Sequence, residues 1–177
     1  MRRYLFLLPV LAFVLLGIFL YLALQFGNDF KNIPSALIGK SVPDFELASF
    51  TDETRISPQQ FMGKPYIINY FASWCLPCRA EHPLLKELHA RSGVPILGIL
   101  YKDKREDAEA FLAELGNPFS AIAFDQDGRT GIEFGLYGIP ETYIIDKDGK
   151  IVFRHAGPID PTLLRETLLP LLESLKS

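Results

Sequence analysis

The apolar positions divide the chain into a short N-terminal segment and a longer remainder of different character. Residues 4–26 carry no charged side chain and directly follow Arg2 and Arg3. About 20 apolar residues in a helix span the hydrocarbon core of a bilayer. The alternative is a cleavable signal peptide, whose apolar region is about 7–15 residues long and ends in small residues. No Ala-x-Ala pattern ends the run here, so the pattern favours an uncleaved transmembrane helix.

This pattern predicts three segments, which are a membrane anchor over residues 1–27, a tether over 28–40 and one globular domain over 41–177. Lysine and arginine are enriched on the cytoplasmic flank of membrane helices, so Arg2 and Arg3 predict that the domain lies across the membrane. A domain of roughly 140 residues buries about two thirds of its unfolded surface, which is enough for one core.

Three short apolar runs in the domain, 66–71, 94–100 and 141–145, predict buried strands. Residues 75–91 lie between the first two runs and carry leucines at helical spacing. Strand, helix and strand within about 35 residues form a βαβ unit, which implies a parallel pair of strands.

Three further signals complete the predicted domain. Residues 102–115 predict a helix that stops at Gly-Asn-Pro, and residues 146–149 predict a hairpin turn. Asp160 and Pro161 supply an N-cap and a first-turn proline for a last helix through Leu175. The sequence therefore predicts an α/β domain with a mixed central β-sheet flanked by helices.

Composition argues against two classes of protein, which are nucleic-acid-binding proteins and multi-disulfide scaffolds. Eighteen basic and 21 acidic residues give a formal charge of −3, which argues against nucleic acid as a partner. The chain has only two cysteines, too few for a multi-disulfide scaffold. The candidate chemistry is therefore concentrated where those two cysteines lie.

Cys75 and Cys78 are separated by two residues at the predicted junction of a strand and a helix. The unpaired N–H groups at a helix N-terminus stabilise a thiolate, which makes Cys75 the nucleophile. Cys78 lies one turn further on and can resolve the mixed disulfide. Pro77 sets a helical φ in the first turn. The pattern predicts thiol–disulfide exchange without a metal or a cofactor.

Other interpretations of the cysteines remain as alternatives. Cys75, Cys78 and His82 could hold a soft metal ion, although no fourth ligand is evident. Covalent haem attachment requires a histidine after the second cysteine, and Arg79 stands there. A purely structural disulfide would close a very small loop and add little stability.

Residues 71–78 in their βαβ context resemble the active site of the thioredoxin superfamily, and the chain is identified as a member of it. Pro83 stands where that superfamily kinks its active-site helix. The segment Gly138-Ile139-Pro140-Glu141 resembles its cis-proline loop. The resemblance implies a thioredoxin-like fold, a redox disulfide between Cys75 and Cys78, and a cis bond before Pro140.

A narrower resemblance rests on several motifs together with the N-terminal apolar segment, and these motifs are residues 35–40, 79–83, 116–119, 138–141 and 154–157. They are similar to the membrane-tethered thiol–disulfide proteins of cytochrome c maturation, the CcmG/DsbE type. The resemblance implies a reductant at the periplasmic side of the inner membrane. It implies apocytochrome c or a maturation protein as one partner, and a membrane thiol electron carrier as the other.

Two carboxylates join the cysteines as candidate catalytic residues. Glu81 lies six residues after Cys75, and Glu141 directly follows Pro140. Without a function, Glu81 would only compensate the helix dipole and Glu141 would be an exposed strand-start residue. The family's active-site groove is acidic, so we expect both carboxylates to disfavour the thiolates. Asn69 stands where many thioredoxins carry a buried aspartate, which suggests Glu81 or Glu141 as the proton acceptor for Cys78.

Substrate contacts are expected at Trp74, Pro77, Ile139 and Pro140. The last two would pair by backbone with an extended substrate segment, a mode that depends on main-chain hydrogen bonds. Two other functions remain open: a related reductase for copper-centre assembly or general disulfides, and a non-enzymatic metal or haem chaperone.

Overall fold

The computed structural model describes residues 7–26 and 37–176. The chain divides into two compact units, residues 1–34 and residues 35–177. The first helix, α1, spans Leu7–Phe26. Among the described residues, no helix is both long enough and apolar enough to cross a bilayer, so the anchor stays a prediction. Arg2, Arg3 and most of the predicted tether lie outside the described residues.

The second unit is built on one mixed sheet of seven strands in the order β2-β1-β5-β4-β3-β6-β7. The strands are β1 Leu47–Ser49, β2 Arg55–Ile56, β3 Tyr66–Phe71, β4 Ile96–Tyr101, β5 Ala121–Asp125, β6 Glu141–Ile145 and β7 Ile151–Ala156. The pairs β3–β4 and β4–β5 are parallel, and the other neighbours are antiparallel. The predicted mixed sheet and its parallel βαβ pair are confirmed.

The helices of this unit are α2 Leu76–Ser92, α3 Arg105–Leu115, α4 Arg129–Glu133, α5 Pro161–Leu163 and α6 Leu169–Lys176, with a 3₁₀ turn at Pro58–Phe61. Asp160 caps α5 through its carboxylate, which accepts a hydrogen bond from Leu163 N. A π-helical segment, Leu164–Leu168, joins α5 to α6. Pro170 follows it and cannot donate a backbone hydrogen bond, and the wider turn relieves the clash of its ring with the preceding turn.

The sheet has a hydrophobic core on each face. Phe71, Ile144 and the apolar side of α2 lie in the first core, together with the π segment and α6. Tyr70, Phe134 and Tyr143 lie in the second core. Side chains alternate between the two faces along β3 and β6, because successive residues of a strand point in opposite directions.

Because of the strand directions, the loops that carry the candidate site residues lie at one end of the sheet. The parallel strands β3, β4 and β5 all end there, and the antiparallel strand β6 begins there. The pairing of Tyr70 with Glu141 brings the start of β6 beside the end of β3. The loop before α2, the loop before α3 and the loop before β6 therefore lie at the same end of the domain.

Candidate active site

Cys75 and Cys78 form a disulfide at the start of α2, with their Cα atoms 5.3 Å apart. Cys75 is the N-cap of the helix, and its Sγ accepts a hydrogen bond of 3.1 Å from Cys78 N. Pro77 lies in the first turn. An N–H directed at this sulfur stabilises the charge of a thiolate, as the helix N-terminus predicts.

The two sulfurs are buried beneath exposed neighbours. Cys75 and Cys78 are 4% and 2% exposed, whereas Trp74 and Leu76 are 60% and 77% exposed. The Trp74 indole donates a hydrogen bond of 3.3 Å to the carbonyl of Lys102, in the loop between β4 and α3. Trp74 and Leu76 therefore form the protein surface next to Cys75.

A buried carboxylate holds the backbone just before the cysteines. Asp103 accepts hydrogen bonds from Ser73 N at 2.6 Å and from Ser73 Oγ at 3.0 Å. It also accepts one from Lys104 N at 2.8 Å. Lys102, the preceding residue, has φ of 48°, a value that non-glycine residues rarely adopt. The loop before α3 thus fixes the position of the loop that carries Cys75.

Glu81 lies inside the first core, three residues after Cys78 and on the same side of α2. It is 1% exposed. Its two oxygens accept hydrogen bonds from Asn69 Nδ2 at 3.0 Å and from Ile159 N at 2.8 Å. Burial raises the pKa of Glu81 to about 7, against the opposing effect of these two hydrogen bonds.

Glu141 is also buried, but it has a cationic partner. Arg154 on β7 donates to Glu141 Oε1, and Tyr143 Oη donates to the same oxygen at 2.7 Å. Glu141 Oε2 accepts from Tyr137 N at 3.3 Å. Arg154 also donates to the carbonyl of Gly135 at 2.8 Å and lies against the Tyr137 ring. Glu141 and Arg154 together hold the loop that leads to Pro140.

The sheet separates the two glutamates. Glu141 bonds to Tyr143 on the face of the second core, whereas Glu81 bonds through Asn69 on the face of the first. Both carboxylates are buried, which rules out the alternative in which Glu141 is an exposed strand-start residue. Glu81 alone shares a face of the sheet with the cysteines.

The loop before β6 ends in a cis peptide bond between Ile139 and Pro140, as the resemblance implied. Pro140 is buried, and its carbonyl accepts a hydrogen bond of 2.9 Å from Gly157 N. Ile139 is half-buried and packs against both cores. The pairing of β3 with β6 brings this loop to the end of the sheet where β3 leads to Cys75.

His82 follows Cys78 by one helical turn and lies in a packed, apolar environment. Its Nε2 lies 2.7 Å from the carbonyl of Gly116, and its ring meets Phe111 edge-on. Burial lowers the pKa of His82. Over residues 7–26 and 37–176, no group of three or more histidine, cysteine, aspartate or glutamate side chains could hold a metal ion.

Three residues of this region had no functional role in the sequence prediction: Asp103, Arg154 and the Asn69 amide as a partner of Glu81. A signal for Arg154 was present, because the predicted hairpin brings position 154 close to position 141 across two antiparallel strands. The contacts of Asp103 and Asn69 join segments 30 and 12 residues apart, and only the folded sheet brings them together.

Comparisons with known proteins agree with this geometry. The Redoxin family model matches residues 37–168. The chain is 41% identical to the thiol:disulfide interchange protein DsbE of Escherichia coli K12, over 98% of this chain and 96% of the relative. It is 43% identical to the DsbE of Pseudomonas aeruginosa, over 99% and 96%.

A solved structure supports the same assignment. The thio-disulfide isomerase from Thermus thermophilus matches with a TM-score of 0.64 at 28% identity, over 79% of this chain and 97% of that one. The chain therefore belongs to the Redoxin family, and it is a thiol:disulfide oxidoreductase with a thioredoxin-like α/β fold.

Proposed function

We propose that this protein is a membrane-anchored reductant of cytochrome c maturation, which keeps the Cys-x-x-Cys-His segment of apocytochrome c in its dithiol form. It would act on that segment directly or through a maturation partner. The observation that carries the proposal is the cysteine pair at the start of α2 with a buried, uncompensated glutamate one turn further on. The motifs shared with the CcmG/DsbE type support the choice of substrate.

In the proposed reaction the reduced protein passes two electrons to a substrate disulfide. The Cys75 thiolate attacks one substrate sulfur, which forms a bond to Cys75, breaks the substrate disulfide and releases one substrate thiolate. Cys78 then loses its proton and attacks Cys75 Sγ, which closes the Cys75–Cys78 disulfide and releases the second substrate thiolate. Both leaving thiolates take up protons.

Glu81 is the proposed proton acceptor for Cys78. It lies on the same side of α2 as Cys78, and its pKa of about 7 lets it take up a proton and return it near neutral pH. We propose Glu81 rather than Glu141, because Glu141 lies on the other face of the sheet and is paired with Arg154. Glu81→Gln is expected to slow resolution of the mixed disulfide and to remove its pH dependence, whereas an unchanged profile would contradict the role.

The same carboxylate supports the direction of the reaction. A disulfide is a strong oxidant when its reduced form is stabilised, as a low thiol pKa achieves. A buried negative charge close to the thiols disfavours the thiolate and so removes that stabilisation. Glu81 therefore favours a reducing potential for the pair.

Substrate recognition is proposed at the exposed surface beside Cys75. Trp74 precedes Cys75, Pro77 lies between the two cysteines, and Ile139 and Pro140 lie at the same end of the sheet. An extended substrate segment would pair with the backbone of the loop before β6 and lie against the Trp74 ring. This mode depends on main chain, which suits a substrate that is not yet folded.

The anchor, the location and the electron donor are parts of the same proposal. The uncharged run 4–26 would hold the protein in the inner membrane with its domain on the periplasmic side. Confinement to that surface raises the effective concentration toward membrane partners. A membrane thiol electron carrier would reduce the Cys75–Cys78 disulfide again after each turnover.

The reduction potential of the full-length protein in detergent tests the direction. We expect a value near the roughly −270 mV of thioredoxin rather than the roughly −120 mV of a strong periplasmic oxidant. Equilibration with dithiothreitol buffers, followed by trapping of free thiols, measures it. An oxidant-like value would contradict the proposed role.

Mixed-disulfide trapping tests the substrate. The Cys78→Ala variant is expected to retain an oxidised Cys-x-x-Cys-His peptide on Cys75, and Cys75→Ala is the matched control that retains none. The competitor is an oxidised peptide of the same length in which the histidine and its flanking residues are replaced by other residues. Equal trapping of both peptides would favour a general reductase.

A further inference from the structure

Asn69 is a fully buried amide between the glutamate and the sheet. It lies on β3, and its Nδ2 donates to Glu81 Oε1 at 3.0 Å and to Thr142 Oγ1 at 3.1 Å. Thr142 is the residue directly opposite Asn69 on β6. The other amide atom, Oδ1, is buried with no hydrogen-bond partner among the described residues. A buried acceptor without a donor costs about 1–3 kcal/mol, so it calls for a physical reason.

The two neighbours of the amide have complementary properties. A carboxylate only accepts hydrogen bonds, whereas a carboxylic acid can also donate one, and a threonine hydroxyl does either. With Nδ2 directed at Glu81 and Thr142, the amide suits a charged Glu81. Rotation of the amide by about 180° directs Oδ1 at the same two oxygens, and the acid and the hydroxyl can then both donate to it. Two hydrogen bonds form in either orientation.

We propose that Asn69 is a positioning residue that rotates its amide to hold the Glu81 side chain in one place in both its charged and its neutral form. The inference rests on the proposed role of Glu81 and adds to it. Asn69 exchanges no proton itself. The proton that leaves Cys78 stays on Glu81. The Asn69 amide then changes from hydrogen-bond donor to hydrogen-bond acceptor towards Glu81.

The surroundings explain why an amide suits this position. Burial raises the pKa of Glu81, the Ile159 N–H and the Asn69 amide oppose that effect, and no charged side chain contributes. Among the described residues bonded to it or flanking it on its helix face, the neighbour that gains or loses a proton during the proposed reaction is Cys78, which is held in the disulfide here. An aspartate at position 69 would set two carboxylates about 3 Å apart, where they cannot both ionise. An apolar residue would leave Glu81 without a partner on the sheet.

Nuclear magnetic resonance of the full-length oxidised protein in detergent tests the rotation directly. We expect the Asn69 side-chain amide signals to shift between pH 5 and 9 with the same midpoint as the Glu81 carboxyl carbon. In Glu81→Gln, the Asn69 signals should lose this dependence. Asn69 signals that stay constant in the wild type, or that shift equally in Glu81→Gln, would overturn the inference. This test does not require that an Asn69 variant folds.

Substitution of the amide provides a second measurement. Hydrogen bonds to a charged acceptor are about twice as strong as neutral ones, so Asn69→Leu should raise the Glu81 midpoint by about one pH unit. Thr142→Val is the matched control, because it keeps the bond between Asn69 and Glu81 and should move that midpoint far less. Equal midpoints in the wild type and in Asn69→Leu would contradict the inference.

Exchange of acid and amide separates this inference from the proposed function. Glu81→Gln should slow resolution of the mixed disulfide about tenfold, and Asn69→Asp combined with Glu81→Gln should restore most of the rate and a pH dependence. A wild-type protein that does not reduce the peptide would refute the proposed function while the resonance coupling stands. A functional reductase whose Asn69 signals do not follow Glu81 would refute only the role of Asn69.

Discussion

Glu81 and Glu141 are two buried glutamates on opposite faces of one sheet, and their surroundings differ in kind. Glu141 meets a guanidinium, a phenol and a backbone N–H. Among the residues that the structure describes, Glu81 meets one amide and one backbone N–H, and no cation. Both lie close to the end of β3 that precedes the cysteines, so location alone does not distinguish them.

The difference shows how a protein assigns separate tasks to the same side chain. A cation beside a buried carboxylate fixes its charge and makes it a permanent part of the structure. Neutral donors leave the charge costly, so the proton can come and go near neutral pH. Glu141 therefore holds the loop before Pro140, and Glu81 is available for proton transfer.

The largest effect is expected from removal of the cation beside Glu141. Arg154→Met leaves a buried carboxylate without its partner, which costs about 3–5 kcal/mol in comparable buried pairs. Urea unfolding of the oxidised protein measures the loss. The double variant with Glu141→Gln should recover a large part of it, because no charge is then left unpaired. A double variant as unstable as the single one would show that Arg154 acts only through Gly135 and the Tyr137 ring.

The absence of a cation beside Glu81 predicts a pH-dependent stability of definite sign. The pKa of Glu81 is about 7 in the folded protein against 4.5 for the free side chain, so the folded state binds the proton more tightly. Its contribution to stability is fully present below pH 4.5 and is lost as pH rises to 7. At about 1.4 kcal/mol per pKa unit, the loss is about 3.5 kcal/mol.

The measurement is the difference in unfolding free energy between Glu81→Gln and the wild type from pH 4.5 to 8. The unfolding free energy of Glu81→Gln relative to that of the wild type should rise with pH, because only the wild type loses stability as Glu81 becomes charged. His82, whose lowered pKa acts in the opposite direction, is common to both proteins and cancels. Glu114→Gln, at an exposed ion pair with Arg79, is the control and should give a flat difference. A flat difference for Glu81→Gln as well would refute the assignment of the titratable carboxylate.

Asp103 extends the comparison to a third buried carboxylate, which within residues 37–176 is held by three N–H or O–H donors and no cation. Asp103→Asn places an NH₂ group where one oxygen accepts from Ser73, so the expected loss is about 2 kcal/mol. Ser73→Ala removes only the hydroxyl bond and should cost about half as much. Urea unfolding of both variants compares them, and a neutral Asp103→Asn would show that the loop before α3 does not depend on this carboxylate.

The sequence predicted those elements whose signals are local. β3 and the helix after it follow from an apolar run, leucines at helical spacing and a first-turn proline. β1, β2 and β5 were missed, because they are two to five residues long. β1 and β5 are held by pairing with strands distant in sequence, and β2 pairs with β1. Helix α4 has five residues with a central glycine, and it too lacks a sequence signal.

The features of the candidate site also divide into those that local sequence predicts and those that depend on the folded sheet. The cysteine pair and the cis bond at Pro140 were accessible from motifs, and the structure contains both. The different surroundings of Glu81 and Glu141 were not accessible, since they depend on which face of the sheet each side chain occupies. One residue of register along β6 decides that face. The bulge between Ile144 and Ile145 further shifts the pairing with β7 that brings Arg154 opposite Tyr143.

The smallest effect on stability is expected at the exposed side chain of Trp74. Trp74→Phe removes one hydrogen bond of 3.3 Å from a side chain that is 60% exposed, and the unfolding free energy should fall by no more than about 0.5 kcal/mol. The KM for an oxidised peptide should nevertheless rise about fivefold, the equivalent of about 1 kcal/mol of lost contact, because the indole is a proposed substrate contact. Steady-state reduction of the peptide measures this value, and the reduction potential should stay unchanged. A large loss of stability with an unchanged KM would instead make Trp74 a structural residue, which would shift the recognition surface towards Ile139 and Pro140.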